Sequence, residues 1–239
     1  MRYTLRIATL FEIPIRVHVT FPLILVALGA EGLVTEGALG AVRSVALVLV
    51  VFVCVVLHEM GHSLQARRFG VAVRDIVLLP IGGLARAERI PDDPRQEIVL
   101  AVSGPAVNVG IAAFILGMMW LCRQPFDVED GFLSNVVLVN LGLAVFNLIP
   151  AFPMDGGRIL RGLLALRVPY LVATRRATHV ALVIAQVFAL IGFVFPSFVA
   201  LPLIAVVVFA GALGEERMIR ARFGPDAPEG RGSADPRRP

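Results

Sequence analysis

The chain has 239 residues, 57% of them hydrophobic, with a formal net charge of +4 and a mean hydropathy of +0.83. Soluble domains hold about 45–50% apolar residues, so the composition excludes an ordinary soluble domain and implies a polytopic membrane protein. All 22 basic residues are arginine, and their placement between apolar runs reads as membrane topology, not as a nucleic-acid footprint.

In chain order, apolar runs close to the roughly 20 residues that cross a bilayer fall at 18–39, 42–65, 98–122, 132–149, 171–195 and 197–213. Six transmembrane helices are expected. The first two and the last two runs have very short connections, which predicts two helical hairpins. A charged, proline-containing start with no small-residue cleavage site precedes the first run, so no cleavable signal peptide is expected. Arg2, Arg6 and Arg16 precede span one; Arg67, Arg68, Arg74, Arg86, Arg89 and Arg95 lie between spans two and three; Arg158, Arg161, Arg167, Arg175 and Arg176 lie between four and five; Arg217, Arg220 and Arg222 follow six. Only Arg43 and Arg123 fall on the opposite side. The positive-inside rule then puts both termini in the cytoplasm of a multi-pass cell-membrane protein, with nearly all arginines as interfacial anchors. The expected fold class is all-α, with a small cytoplasmic-side β-ribbon between spans two and three. The domain is expected over 1–214, followed by a tail over 215–239, rich in Pro, Gly, Arg and Asp, that reads as disordered.

Span two carries the segment VVLHEMGHSL. Residues four apart on a helix are separated by about 40° around the axis and roughly 6 Å along it, so His58 and His62 can reach one metal ion. Glu59 lies beside them as the general base of an H-E-x-x-H pattern. Polar residues merely satisfied inside a bundle are the alternative, disfavoured because ionisable groups in a membrane are costly. Catalytic zinc takes about three protein ligands plus water, so a third partner is needed. Asp155, in NLIPAFPMDGGR at the cytoplasmic end of span four, sits in an apolar setting and at a similar depth. Pro150 and Pro153 break that helix, and Gly156 and Gly157 permit tight backbone beside the carboxylate. Asn147 offers an amide donor for an oxyanion. A packed kink with Asp155 as N-cap is the structural alternative for this segment. Cys54 lies one turn before His58 and is read as a small buried hydrophobe. His18 and His179 are read as interfacial.

The stretch VAVRDIVLLPIGGLARAERI between spans two and three alternates weakly and contains β-branched residues. It reads as the β-ribbon, whose edge can pair with an unwound substrate; Gly82 and Gly83 are the candidate contact points. A hairpin that only joins two helices is the alternative.

With LHEMGH at 57–62 and NLIPAFPMDGG at 147–157, the chain resembles the site-2 protease family of intramembrane zinc metalloproteases. LLPIGGLAR at 78–86 is similar to that family's glycine-containing loop, and VSGPAVNVG at 102–110 to its Gly-Pro-x-x-Asn pattern. The resemblance covers roughly residues 12–165. It implies one Zn²⁺ on His58, His62 and Asp155, Glu59 as the base that activates water, and Asn147 assisting catalysis. It also implies a membrane-embedded protein helix as substrate, entering laterally from the lipid bilayer. Some members carry a PDZ or CBS domain, for which the loops and tail here are too short, so a minimal core is expected. Two other functions fit the residues in part. A membrane-anchored zinc protease acting on cytoplasmic peptides would cleave soluble substrates faster. A divalent metal transporter would use the His and Asp residues as a transit site, yet it leaves Glu59 unexplained and predicts internal repeats that the halves do not show.

Overall fold

The computed structural model describes residues 3–79, 82–87, 93–128 and 131–223. They fall into two compact units, one of the described residues within 1–90 and 103–145, the other of those within 91–102 and 146–239.

The first unit opens with β1 (Thr4–Leu10) and β2 (Ile13–His18), paired antiparallel across a turn in which Phe11 and Glu12 take positive φ. A long helix, α1 (Phe21–Arg68), leads to β3 (Val73–Leu79) and β4 (Gly82–Ala87). The four strands make one sheet in the order β1, β2, β3, β4, with β2 and β3 parallel. The expected ribbon is therefore β3 with β4, antiparallel and in register at Leu78 and Gly83. The chain is mostly helical, as expected, but its sheet is larger than the single expected ribbon: the segment read as a charged lead-in to span one forms two further strands. Its period-two pattern, Ile13, Ile15 and Val17, is the strand signal, and Ile13 and Ile15 are buried on this face.

Within α1, Gly37 has φ 72° and ψ −158°, which no helix allows and which glycine adopts without Cβ strain. The chain folds back there. Phe21 meets Phe52 edge-on with ring centres 4.4 Å apart, and a Cβ on Gly32 would stand 2.6 Å from the Gly40 carbonyl oxygen. These contacts fix two antiparallel arms, the first of the expected hairpins, with the turn at Gly37. Ile15, Phe21, Phe52, Val56 and Leu78 pack as a core beneath the sheet, and Ile13, Met60 and Ile76 form a second cluster around the histidine-bearing turn.

The sheet also carries a cross-strand ion cluster. Asp75 on β3 is buried, accepts a hydrogen bond from Arg86 Nε at 2.5 Å, and lies 3.1 Å from Arg16 Nε. The Arg86 hydrogen bond, with the charges of Arg86 and Arg16 and against the cost of burial, holds the Asp75 carboxyl below its ordinary value of 3.8. A depressed carboxylate contributes stability that is complete above that ordinary value and is lost as pH falls through the folded one. Thermal melts in detergent should therefore show the wild type losing stability below about pH 4. Asp75→Asn should lower the melting point near neutrality and flatten the acid limb. Because both arginines are about one-third exposed, the neutral-pH loss is about 1 kcal/mol.

Helix α2 (Pro94–Leu121) is continuous between the units, its residues 94–102 counting with the second. Helix α3 (Phe132–Asn147) follows. In the second unit, α4 (Asp155–Ala165), α5 (Tyr170–Val194), a 3-10 turn at Pro196–Phe198 and α6 (Ala200–Phe223) succeed one another. Ala177, Ala181 and Ala185 form a small-residue stripe packed with Val208, Ala212, Phe152 and Met154, the side-chain size that lets membrane helices approach closely. This is the second hairpin.

Arg161 departs from the expected role of surface anchor. It is fully buried, with Nε 2.8 Å from Glu97 Oε1 and Nη1 2.6 Å from Glu215 Oε1, its guanidinium lying over the rings of Phe152 and Tyr170. Burial opposes its charge, but Glu97, Tyr170 and Glu215 outweigh that and raise its pKa. Residues 215–223 continue α6 where a tail was expected, and Glu215 pairs with Arg161 from the first turn of that extension. The rest of that stretch, 224–239, lies outside the described residues.

Among the described residues, Phe21–Arg68, Pro94–Leu121 and Tyr170–Val194 are long and apolar enough to cross a membrane, and Phe132–Asn147 is a shorter apolar helix.

Candidate metal centre

The second arm of α1 presents His58, Glu59 and His62 on adjacent positions of one turn. The Nε2 atoms of His58 and His62 face each other at 3.1 Å, with the rings nearly perpendicular at 83°. Two nitrogens on a tetrahedral zinc at about 2.0–2.1 Å stand about 3.3–3.4 Å apart. The pair is thus set almost at the spacing that such an ion demands, and the donor set suits it.

Helix α2 shapes the space in front of the nitrogens. A Cβ on Gly104 would fall 2.6 Å from His62 Cε1, 2.7 Å from His58 Nε2, and closer still to His62 Nε2. Only a residue without a side chain leaves those lone pairs clear. Gly61, on the histidine-bearing turn itself, plays the matching part, since a methyl there would stand 2.8 Å from the Ser103 carbonyl oxygen. Ser103 Oγ lies 3.4 Å from His62 Nδ1.

Glu59 is half-buried and oriented from the sheet: its Oε2 accepts a hydrogen bond from the Ala85 amide of β4 at 3.2 Å. A Cβ on Gly83 would lie 2.7 Å from Glu59 Cγ and 2.9 Å from Val55. Gly83 therefore has a role that periodicity did not reveal, namely letting β4 come down onto the carboxylate. Gly82 opens the same strand as the partner of Leu79.

In the second unit, Asn147 is the half-buried last residue of α3, and Asp155 is the buried first residue of α4. The N-cap is Met154, with no side-chain cap bond, so Asp155 does not serve as the cap that the structural alternative required. A carboxylate in the first turn is favoured by the helix dipole. Gly156 and Gly157 take the close approach of the preceding chain: a Cβ on Gly156 would collide with the carbonyl oxygens of Leu148 and Ile149, and one on Gly157 would lie 2.7 Å from Ala151 C and Phe152 N. Pro153, after a cis peptide, is covered by Gly211 of α6.

Two residues that motif reading left without a role complete the first unit's site. Asn108 on α2 and Asn140 on α3 are fully buried, and Asn108 Oδ1 lies 2.5 Å from His58 Nδ1. Asn108 stood inside the quoted Gly-Pro-x-x-Asn segment. Asn140 stands in no motif, yet a polar side chain in the run LVNLGLAV is itself a signal, since such groups are expensive in a membrane. Cys54 is buried and receives a hydrogen bond from Asn140 Nδ2 at 3.3 Å.

An H-E-x-x-H pair converging on one point, on an apolar helix of membrane-spanning length, is a candidate metal centre in a membrane-protein scaffold. The chain belongs to peptidase family M50, whose model matches residues 46–135 and 124–192. It is 38% identical over 223 residues to the zinc metalloprotease MJ0392 of Methanocaldococcus jannaschii, covering 92% of this chain and 62% of that protein. It is 34% identical to the putative zinc metalloprotease sll0528 of Synechocystis, covering 68% of this chain and 45% of that protein. The chain thus spans less than two thirds of the length of these two relatives. Among solved structures, the site-2 protease from Methanocaldococcus jannaschii superposes with a TM-score of 0.65 at 36% identity, covering 90% of this chain and 96% of that one.

Proposed function

We propose that this protein is an intramembrane zinc endopeptidase that hydrolyses a peptide bond in or next to a substrate transmembrane helix. The observation that carries the proposal is the 3.1 Å facing pair of Nε2 atoms on α1 with Glu59 beside them. His58, His62 and Asp155 hold one zinc ion, an assignment supported by their donor chemistry, the burial of His58 and Asp155, and membership of the family. When bound, zinc supplies Lewis-acid chemistry, polarising the scissile carbonyl and acidifying water. Glu59 removes the proton from the attacking water and delivers it to the leaving amine nitrogen. Asn147 donates its amide to the carbonyl oxygen as negative charge develops there.

The fold suits a substrate that arrives as a helix and must be opened before cleavage. β4 is an edge strand, and an extended substrate can add to it, with Gly82 and Gly83 at the contact and Glu59 alongside. Six spans follow if the two arms of α1 count separately and α3 and α6 cross as well, with both termini cytoplasmic. Substrate enters from the bilayer, and water reaches the site from the cytoplasmic side.

The ligand assignment is tested by zinc content under chelator competition. Asp155→Asn, which keeps the shape and removes the charge, should bind zinc at least about tenfold more weakly. Affinity equal to wild type would strike Asp155 from the ligand set.

A further inference from the structure

We propose that Asn108 and Asn140 are positioning residues that impose the zinc-competent tautomer on His58 through a one-way hydrogen-bond relay. The inference rests on reading His58 as a metal ligand. A neutral imidazole carries one N–H, and Nε2 can offer a lone pair to a metal only when that hydrogen sits on Nδ1. His58 Nδ1 lies 2.5 Å from Asn108 Oδ1, an acceptor. An amide, however, has two faces. Turned over, Asn108 would present its NH2 group to Nδ1, drive the hydrogen onto Nε2 and block the metal.

The relay shows what prevents that reversal. Asn108 Nδ2 donates to Asn140 Oδ1 at 2.8 Å, and Asn140 Nδ2 donates to the Val136 carbonyl oxygen at 2.9 Å. A backbone carbonyl only accepts. Asn140 must therefore turn its NH2 group toward Val136 and its oxygen toward Asn108. Asn108 must then turn its own NH2 group toward Asn140 and its oxygen toward His58. The polarity of one carbonyl on α3 is passed through two amides to a ring nitrogen on α1. Cys54 Sγ, 3.3 Å from Asn140 Nδ2, is a second weak acceptor that reinforces the same direction. Asn108 and Asn140 are fully buried and His58 nearly so, at 6% exposure. Two buried amides cost free energy in an apolar bundle, and packing of α1, α2 and α3 alone does not call for them.

Zinc affinity, measured by competition with a chromophoric chelator in detergent-solubilised full-length protein, tests the relay. Partners that orient a metal-binding histidine change affinity by about 10–100-fold when removed. Asn108→Leu, which has no acceptor, should fall in that range. Asn108→Asp should bind nearly as well as wild type, because a carboxylate accepts from Nδ1–H whichever way it is turned. Asn140→Leu should weaken binding about tenfold when residue 108 is Asn, yet change it less than about twofold in the Asn108→Asp background, where no amide needs to be directed. Side-chain 15N shifts of His58 in the metal-free protein should show Nδ1–H in the wild type and in Asn108→Asp, and a tautomer mixture in Asn140→Leu. An equal loss from Asn140→Leu in both backgrounds would reduce Asn140 to a packing residue and overturn the proposal. So would wild-type affinity in a folded Asn108→Leu protein. If Asn108→Leu does not fold, the Asn140 comparison decides. His58→Ala separates the two levels: zinc retained there would sink the ligand assignment itself, whereas zinc lost there but kept in Asn108→Leu would sink the relay alone.

Discussion

Glu59→Gln should abolish cleavage of a membrane-embedded substrate while leaving one zinc per chain. Glutamine keeps the length of the side chain and can still accept from the Ala85 amide that orients Glu59 at 3.2 Å, so the sheet and the helix lose little. What it cannot do is take a proton from water. Loss of a positioned general base costs roughly 10²–10⁴ in rate, and residual activity should sit in that window or below. Zinc content by elemental analysis, read beside a gel assay in proteoliposomes, separates the base from a ligand: zinc lost together with activity would show that Glu59 holds the metal. Metal flux that survives Glu59→Gln, in a protein whose wild type never cleaves, would instead identify a transit site.

The second large effect is expected at a residue with no chemistry of its own. Gly104→Ala adds one methyl group, 2.7 Å from His58 Nε2 and nearer to His62 Nε2. Alanine is the better helix former by about 1 kcal/mol, so a position inside α2 should gain from the change on propensity alone. Steric conflict works the other way, and overpacking of this kind typically costs about 1–3 kcal/mol. If it falls on the metal-bound geometry, that range corresponds to a loss of zinc affinity of roughly 5- to 150-fold, with the fold intact. Chelator competition on Gly104→Ala reads it directly. Affinity unchanged from wild type would mean that the histidines bind metal in some other rotamer, away from α2.

The part of the site that follows from local periodicity was legible in the chain itself. His58, Glu59 and His62 share a helical turn because the spacing puts them there, and the bend over Pro150 to Gly157 is written in its prolines and glycines. What depends on the approach of separate elements was not legible. Gly83 was legible as a glycine in the ribbon, but not the close approach of its strand to Glu59. Gly104 and Asn108 stood in a quoted motif without a role, because a helix alone does not say which of its faces meets α1. The strands β1 and β2 were lost to the strong hydropathy signal that follows them, although their alternation was present. Hydropathy also misplaced the first hairpin turn slightly: Gly37 makes the bend, while Gly40 serves the close passage of the two arms. Arg161 was the largest error of kind, since a positive-inside count treats every arginine as solvent-facing and cannot see Glu97 and Glu215 arriving from other helices.

Peptide hydrolysis at this metal centre should take place within the bilayer. The most direct measurement uses wild-type protein in proteoliposomes with a single-span substrate. Zinc is removed by a chelator and then restored, and the cleavage site is mapped by mass spectrometry. Cleavage should stop on chelation, return with one equivalent of zinc, and fall in or next to the substrate's membrane-spanning segment. Undiminished cleavage by metal-free protein, or cleavage confined to soluble peptides, would contradict it.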